Sequence, residues 1–286
     1  MGKIVSLILA LILALSTGVS ATAEGQYGPL GRLKKLNVTD EMLNEALKDN
    51  LAGEVFSRYV FFDSLAGLVL ALFNEDISII EIDRNTAEYI ASRLEYFVVR
   101  EPYIPATPIM FSMLLREEDS ELCDRISAVI REMDADGSLA VLQKTYIDDI
   151  IASITGAEPD PVAPKTFDGA ETLRVAVTGD RPPMDYFSPD DRPAGYNTAL
   201  IAEIAARMKM NVEFVSIDTG ARGIALATGR ADVVFWIEEK DSENGEGATG
   251  EDIPEMTIAT DCYLKSPVAF VVLDSSPLAE LLEPAE

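Results

Sequence analysis

The chain has 286 residues, 48% hydrophobic, 25% charged and 7% aromatic, and its 49 acidic and 23 basic residues give a formal net charge of −26. With no histidine and two cysteines, it excludes Ser-His-Asp and Cys-His nucleophile systems, His-ligated zinc, a disulfide-rich scaffold and a four-thiolate metal centre. The acidic balance argues against sequence-neutral nucleic-acid binding, which needs a basic patch, and the ordinary apolar content argues against intrinsic disorder.

Residues 1–23 read as a secretory signal peptide. Lys3 is the positive start, Ile4 to Leu15 is an apolar stretch broken by Ser6, and Ala21-Thr22-Ala23 forms an A-x-A cleavage site. The stretch is shorter than the roughly 20 residues of a membrane span. An uncleaved tether is the alternative. The expected destination is periplasmic or extracellular, with no cysteine behind the stretch for a lipid anchor. Export places Cys123 and Cys262 in an oxidising compartment. They either pair or stand as two separate thiols, and their spacing gives no reason for them to meet.

In the first half, Thr39 can cap a helix whose apolar face is Met42, Leu43, Ala46 and Leu47. A strand over Tyr59–Phe62 leads to a helix through Leu65, Leu68 and Leu72. Ser78–Ile82 is a strand, and Thr86 starts a helix through Tyr89, Ile90 and Leu94. A strand over Met110–Leu115 precedes a helix on which Leu122, Ile126, Val129, Ile130 and Met133 recur at helical spacing, stopped by Gly137. A further helix carries Leu139, Leu142, Tyr146 and Ile150. Residues 155–170 form a linker, because Pro159, Pro161 and Pro164 together permit neither a helix nor a central strand.

In the second half, Leu173–Val177 is a strand that exits into the turn Thr178–Pro183. Asn197 can cap a helix with the face Leu200, Ile201, Ile204, Ala205 and Met208. Val212–Ile217 is a strand, and a short helix runs from about Ala221 to Gly229. Asp232–Ile237 is a buried strand, 239–251 an acidic loop, and Pro267–Leu273 the last strand. Both halves alternate strands with helices, the signature of an α/β protein.

Leu173 to Asp180, Pro182-Pro183-Met184-Asp185-Tyr186 and Gly195-Tyr196-Asn197 together resemble the opening of the family 3 extracellular solute-binding proteins, the polar amino-acid receptors of ABC importers. Gly229 to Phe235 resembles the family's later G-K-A-D-V strand, and Cys262-Tyr263 with Val268–Val272 its approach to the hinge. In the first half, Phe62 to Leu72 and Ser78 to Tyr89 resemble the second lobe. Phe111–Leu115 with Glu118 through Tyr146 resembles the closing strand and helices.

The resemblance implies a two-lobe, type II periplasmic-binding-protein-like fold with a hinge and an interlobe cleft. The order of the pieces is changed, however. Either the chain is circularly permuted, or it is a fragment of a tandem array. In the permuted reading, 24–104 is second-lobe-like, 105–154 supplies the closing strand and helices of the first lobe, and 171–286 supplies the rest. Termini that lie close together at the surface make such a permutation tolerable.

Ligands of open α/β lobes sit beyond the carboxyl ends of the strands, so the candidate ligand residues lie there. Asp180, Met184 and Tyr186 lie in or beside the exit from the first strand. Trp236 and Glu238 end the Asp232 strand, where Trp236 either stacks on a ligand or fills a core. Arg222 lies near a helix N-terminus and either meets a carboxylate there or is a solvated surface residue. Asp83, with Glu81 second, lies where the resemblance implies an amine-binding carboxylate; Asp83 is alternatively a helix cap and Glu81 a solvent-facing acid. The family's carboxylate-gripping Thr and Arg after the D-V strand are replaced here by Glu238-Glu239-Lys240-Asp241. A cationic or hydroxyl-rich ligand is therefore as consistent with the sequence as an amino acid.

The resemblance implies a non-catalytic, monomeric binding protein without cofactor or metal. It would capture a small polar solute, an amino acid or related compound, for an ABC permease in the membrane. Two other readings stand beside it. One is a sensory or accessory ligand-binding module with a degenerate site. The other is a dehydratase-like enzyme, for which the sequence offers no acid–base pair with an evident division of labour.

Overall fold

The computed structural model describes residues 32–34, 60–61, 64–102, 106–153, 156, 159–238, 254–282 and 284. The signal peptide, the Thr39 helix and the 239–251 loop lie outside the described residues. In chain order the elements are β1 (Arg32–Lys34), β2 (Val60–Phe61), α1 (Leu65–Phe73), β3 (Ile79–Asp83), α2 (Arg84–Arg93), β4 (Phe97–Arg100), β5 (Ile109–Arg116), α3 (Ser120–Ala135) and α4 (Ser138–Gln143). A π-turn over Lys144–Asp148 extends α4 into a last helical turn, Asp149–Ile151. The second half contributes β6 (Thr172–Val177), β7 (Asp180–Arg181), β8 (Asp185–Phe187), β9 (Pro193–Ala194), α5 (Tyr196–Met208), β10 (Asn211–Ser216), α6 (Arg222–Ala227), β11 (Val233–Glu238), β12 (Thr257–Ala259), β13 (Leu264–Ser266), β14 (Val268–Leu273) and α7 (Pro277–Leu281).

The large lobe is built on a sheet in the order β10-β6-β11-β5-β12, with β13 also paired to β5. β6 runs parallel to β10 and β11, while β5 is antiparallel to β11, β12 and β13. Successive side chains of a strand point to opposite faces, and here both faces are covered. Phe111, Met113, Leu115, Val175, Val177, Val233 and Phe235 pack with Ile126 and Ile130 of α3, Ile147, and Leu200 and Ile204 of α5. Leu114, Ala176 and Val234 face the other way, onto Ala225 and Leu226 of α6. Double burial explains why these strands are continuous apolar runs.

The small lobe is an antiparallel sheet, β2-β1-β3-β14-β4. Ile80, Ile82, Ala269 and Val271 meet α1 and α2 on one face, and Ile79, Phe270 and Val272 meet Leu278 and Leu282 on the other. The two sheets are joined by residues 101–108 and by Pro267 alone, which separates Ser266, opposite Ile109, from Val268, opposite Asp83. The expected hinge approach is thus where the chain crosses between lobes.

Several helix starts differ from expectation. α2 begins at Arg84, not Thr86, because Asp83 caps it by accepting from the Thr86 N–H at 3.0 Å. α5 is preceded by Gly195 at φ 105°, so Asn197 lies inside the helix. A Cβ at Gly195 would approach Met184 O to 2.5 Å and Pro183 O to 2.7 Å, so only glycine lets the backbone pass there. The linker is tied down at its end by Asn211, which accepts from Phe167 N–H at 2.7 Å and donates to Phe167 O at 3.1 Å and Ala170 O at 3.3 Å.

Asp232 fixes the large sheet at its lower edge. It accepts from Arg174 N–H at 2.9 Å and from the Arg174 guanidinium at 2.6 and 3.0 Å, and it pairs with Arg116 of β5 at 3.2 Å. Burial pushes its carboxyl up, but the hydrogen bonds from Arg174 and Arg116 outweigh that and hold it below the usual range. Asp232→Ala should cost about 2–3 kcal/mol, the scale of charged hydrogen bonds whose partners stay partly solvated, read as a lowered urea midpoint. Because the folded pKa is depressed, the wild-type advantage should be full above the ordinary aspartate pKa and vanish as pH falls through the lower, folded value.

Candidate functional site

The site forms where β6 and β11 end. Thr178 follows β6, and the chain then folds into the small β7-β8-β9 sheet. Gly179, at φ 71°, makes the turn and presses against the Phe187 ring, which a Cβ would enter at 2.1 Å. This turn delivers Asp180 and Arg181, and β8 returns Asp185 beneath Thr178. A small cavity results, lined by Phe111, Thr178, Arg181, Asp185, Asn197, Arg222, Phe235, Trp236 and Tyr263. It has room for about one water molecule.

Its charges are closely arranged. Asp185 Oδ2 accepts from Thr178 N–H at 2.8 Å, and Thr178 Oγ1 lies 3.0 Å from the same oxygen and 2.6 Å from Asp180 Oδ1. The hydroxyl has one proton for these two acceptors. It accepts in turn from Arg222 Nη2 at 3.2 Å, and that nitrogen is 3.9 Å from Asp180. Asp185 Oδ1 and Asp180 Oδ2 are buried without a hydrogen-bond partner. Burial drives the Asp185 carboxyl up to about 6, reinforced by the Asp180 charge and opposed by the Thr178 bonds and Arg222. Burial likewise lowers Arg222, against the pull of Asp180 and Asp185.

The wall opposite is aromatic. The Tyr263 ring centroid lies 6.4 Å from that of Phe111 and 6.5 Å from that of Phe235. The Tyr263 hydroxyl donates to Asn197 Oδ1 at 3.0 Å. Burial holds the Tyr263 phenol well above its usual range.

The sequence-derived candidates separate in space. Arg222 and Trp236 line the cavity, and Asp180 stands just behind it. The solvated alternative for Arg222 is corrected: it is 7% exposed, because its guanidinium is drawn to the carboxylates and Thr178 at the ends of neighbouring strands. Met184 is fully buried in the large-lobe core and Tyr186 is buried on β8 opposite Asp180. Glu238 ends β11 opposite Met110. Glu81 lies on β3 between Arg32 and Phe270, away from the cavity. Asp83 both caps α2 and crosses to the other lobe, where Arg181 Nη1 donates to its Oδ2 at 3.0 Å. Sequence reasoning missed Arg181, Asp185, Thr178 and Tyr263 as site residues. Thr178 and Arg181 sit within the Thr178–Pro183 turn it had singled out, and Asp185 opens the short β8 strand just after it. The two cysteines do not form a disulfide: Cys123 lies in the core and Cys262 is partly buried, its thiol donating to Leu264 O at 3.1 Å.

The structure is thus a two-lobe α/β fold with a polar, aromatic-walled cavity in its large lobe. Residues 173–240 match the model of the bacterial extracellular solute-binding proteins, family 3. No curated protein matches the chain. Among solved structures, the PBP AgaA from A. tumefaciens R10 in complex with agropinic acid is 11% identical, TM-score 0.40, over 75% of this chain; the chain spans 54% of that protein. An ancestral arginine-binding protein bound to arginine is 13% identical, TM-score 0.38, over 89% of this chain and 83% of its own. CbnR, a LysR family transcriptional regulator, is 10% identical, TM-score 0.32, over 76% and 54%.

The raised Asp185 carboxyl sets a pH dependence of stability. An acid whose folded pKa exceeds its unfolded value binds more protons when folded, so stability should fall as pH rises from about 4 to about 6 and then level off. Asp185→Asn keeps an oxygen for Thr178 and removes the buried charge. It should flatten that slope and raise stability at pH 7.5 by about 1–3 kcal/mol, measured by urea unfolding across pH.

Proposed function

We propose that this protein is an extracytoplasmic solute-binding protein. In this reading it captures a small polar solute, an amino acid or related compound, between its lobes and passes it to an ABC permease. The observation that carries the reading is the pairing of opposite charges in one cavity. Arg222 offers N–H donors to a carboxylate and Asp185 offers a buried oxygen without a partner to an ammonium or hydroxyl, while Trp236 supplies an apolar face. The family match over 173–240 coincides with the segment that contributes Thr178, Asp185, Arg222 and Trp236. The cavity holds little more than water, and Asp83 of the small lobe meets its lining residue Arg181, so in this reading a solute enters when the small lobe swings aside.

The reading includes export through residues 1–23, a monomer, and binding without catalysis. It also takes the chain as one circularly permuted receptor. Support for permutation comes from β5, which precedes the linker and completes the sheet of the segment that follows it. The small size of the cavity favours one alternative, an accessory or sensory module with a degenerate site.

A thermal-shift screen of residues 24–286 against amino acids, polyamines, sugars and short peptides tests the proposal. A true solute at about 100 times its dissociation constant should stabilise the protein by about 2.7 kcal/mol. Arg222→Met should abolish the shift for carboxylate solutes while leaving a cooperative melt. A cooperative wild-type melt with no hit sinks the receptor reading and leaves the accessory module.

A further inference from the structure

The pair between Asp83 and Arg181 is unlike the other ion pairs of the described residues. Its side chains are 0% and 5% exposed, and its partners belong to different lobes. Asp83 ends β3 of the small sheet; Arg181 is on β7 of the large lobe and lines the cavity. A guanidinium from one lobe thus occupies the carboxylate of the other, at the cleft. Asp83 is otherwise committed only through Oδ1, to the α2 cap. Its Oδ2 is the atom an incoming cation would seek, and Arg181 already holds it.

We propose that Arg181 is a built-in occupant of a cation subsite at Asp83: it latches the lobes together and makes the cleft discriminate against solutes that carry a second positive group, such as guanidinium or diamine compounds. An intruding cation must break a buried pair and displace Arg181 from Asp83, which an incoming ion of the same sign does not offset. A solute with one carboxylate and one ammonium needs only Arg222 and Asp185 and leaves the latch partner untouched. Specificity here comes from an interaction the wrong ligand must destroy. This rests on the solute reading of the cleft, but its test does not need the natural solute.

Arg181→Ala should leave Asp83 as an unpaired buried carboxylate next to a guanidinium-sized space. The variant should melt below wild type. Methylguanidinium chloride should raise its melting temperature saturably by about 2–4 °C. Wild type and the double variant Arg181→Ala with Asp83→Asn should show no saturable rise, with sodium chloride as the ionic control. A single variant that does not respond, or a wild type that responds equally, overturns the proposal. If Arg181→Ala does not melt cooperatively, Asp83→Asn decides, because it keeps an oxygen for the α2 cap. Its radius of gyration by small-angle scattering should exceed that of wild type, and an unchanged radius overturns the latch. A protein in which methylguanidinium rescues Arg181→Ala, but which no solute stabilises, retains the latch and loses the receptor reading.

Discussion

The large lobe depends on β5. In its sheet β11 pairs with it on one side and β12 and β13 on the other, and β6 and β10 are joined to it through β11. Its odd-numbered residues, Phe111, Met113 and Leu115, enter the core under α3 and α5, while Leu114 enters the core beneath α6. Arg116 at its end reaches Asp232, the carboxylate that also holds Arg174 of β6. One strand from before the linker therefore supplies hydrogen bonds, core volume and charge to a sheet whose other strands all come from after it. Phe111, on the same strand, is also part of the cavity wall.

The large lobe combines two kinds of polar burial. Around Asp232 four donors fill the carboxylate's acceptor sites, and the result is a depressed pKa and stability. Around Asp185 donors are scarce, and the result is a raised pKa and an oxygen without a partner. The first pattern holds strands together; the second stores unfavourable solvation that a bound ligand could relieve. The two sites sit at opposite ends of adjacent strands, so a rigid node supports a site that is not itself relaxed.

Much of this was legible in the sequence. The buried strands β5, β6, β11 and β14 and the amphipathic helix α3 were clear from periodicity, because burial on both faces or on one leaves a direct pattern. The short strands β7, β8 and β9 were not, since two or three residues carry no period and their geometry comes from Gly179 and Gly195. Asp83 was singled out for its place at a strand end, and there it is. Its partner could not be read, because an ion pair spanning 98 positions in the chain leaves no local trace. Arg222 was legible as a strand-end cation but not as a buried one, because its burial is decided by Thr178 and Asp180 on another strand.

The crossing between the lobes limits how they move. The strand ends that flank the two crossings are paired: Ser266 lies opposite Ile109 in one sheet, and Phe270 lies opposite Arg100 in the other. A body held at two adjacent places turns about the line through them. One of those places is Pro267, whose ring fixes φ and whose carbonyl accepts from Arg84 N–H at 2.8 Å. With its φ fixed and its carbonyl held, this joint resists torsion, so movement of one lobe against the other is restrained at the very residue where the chain crosses between them.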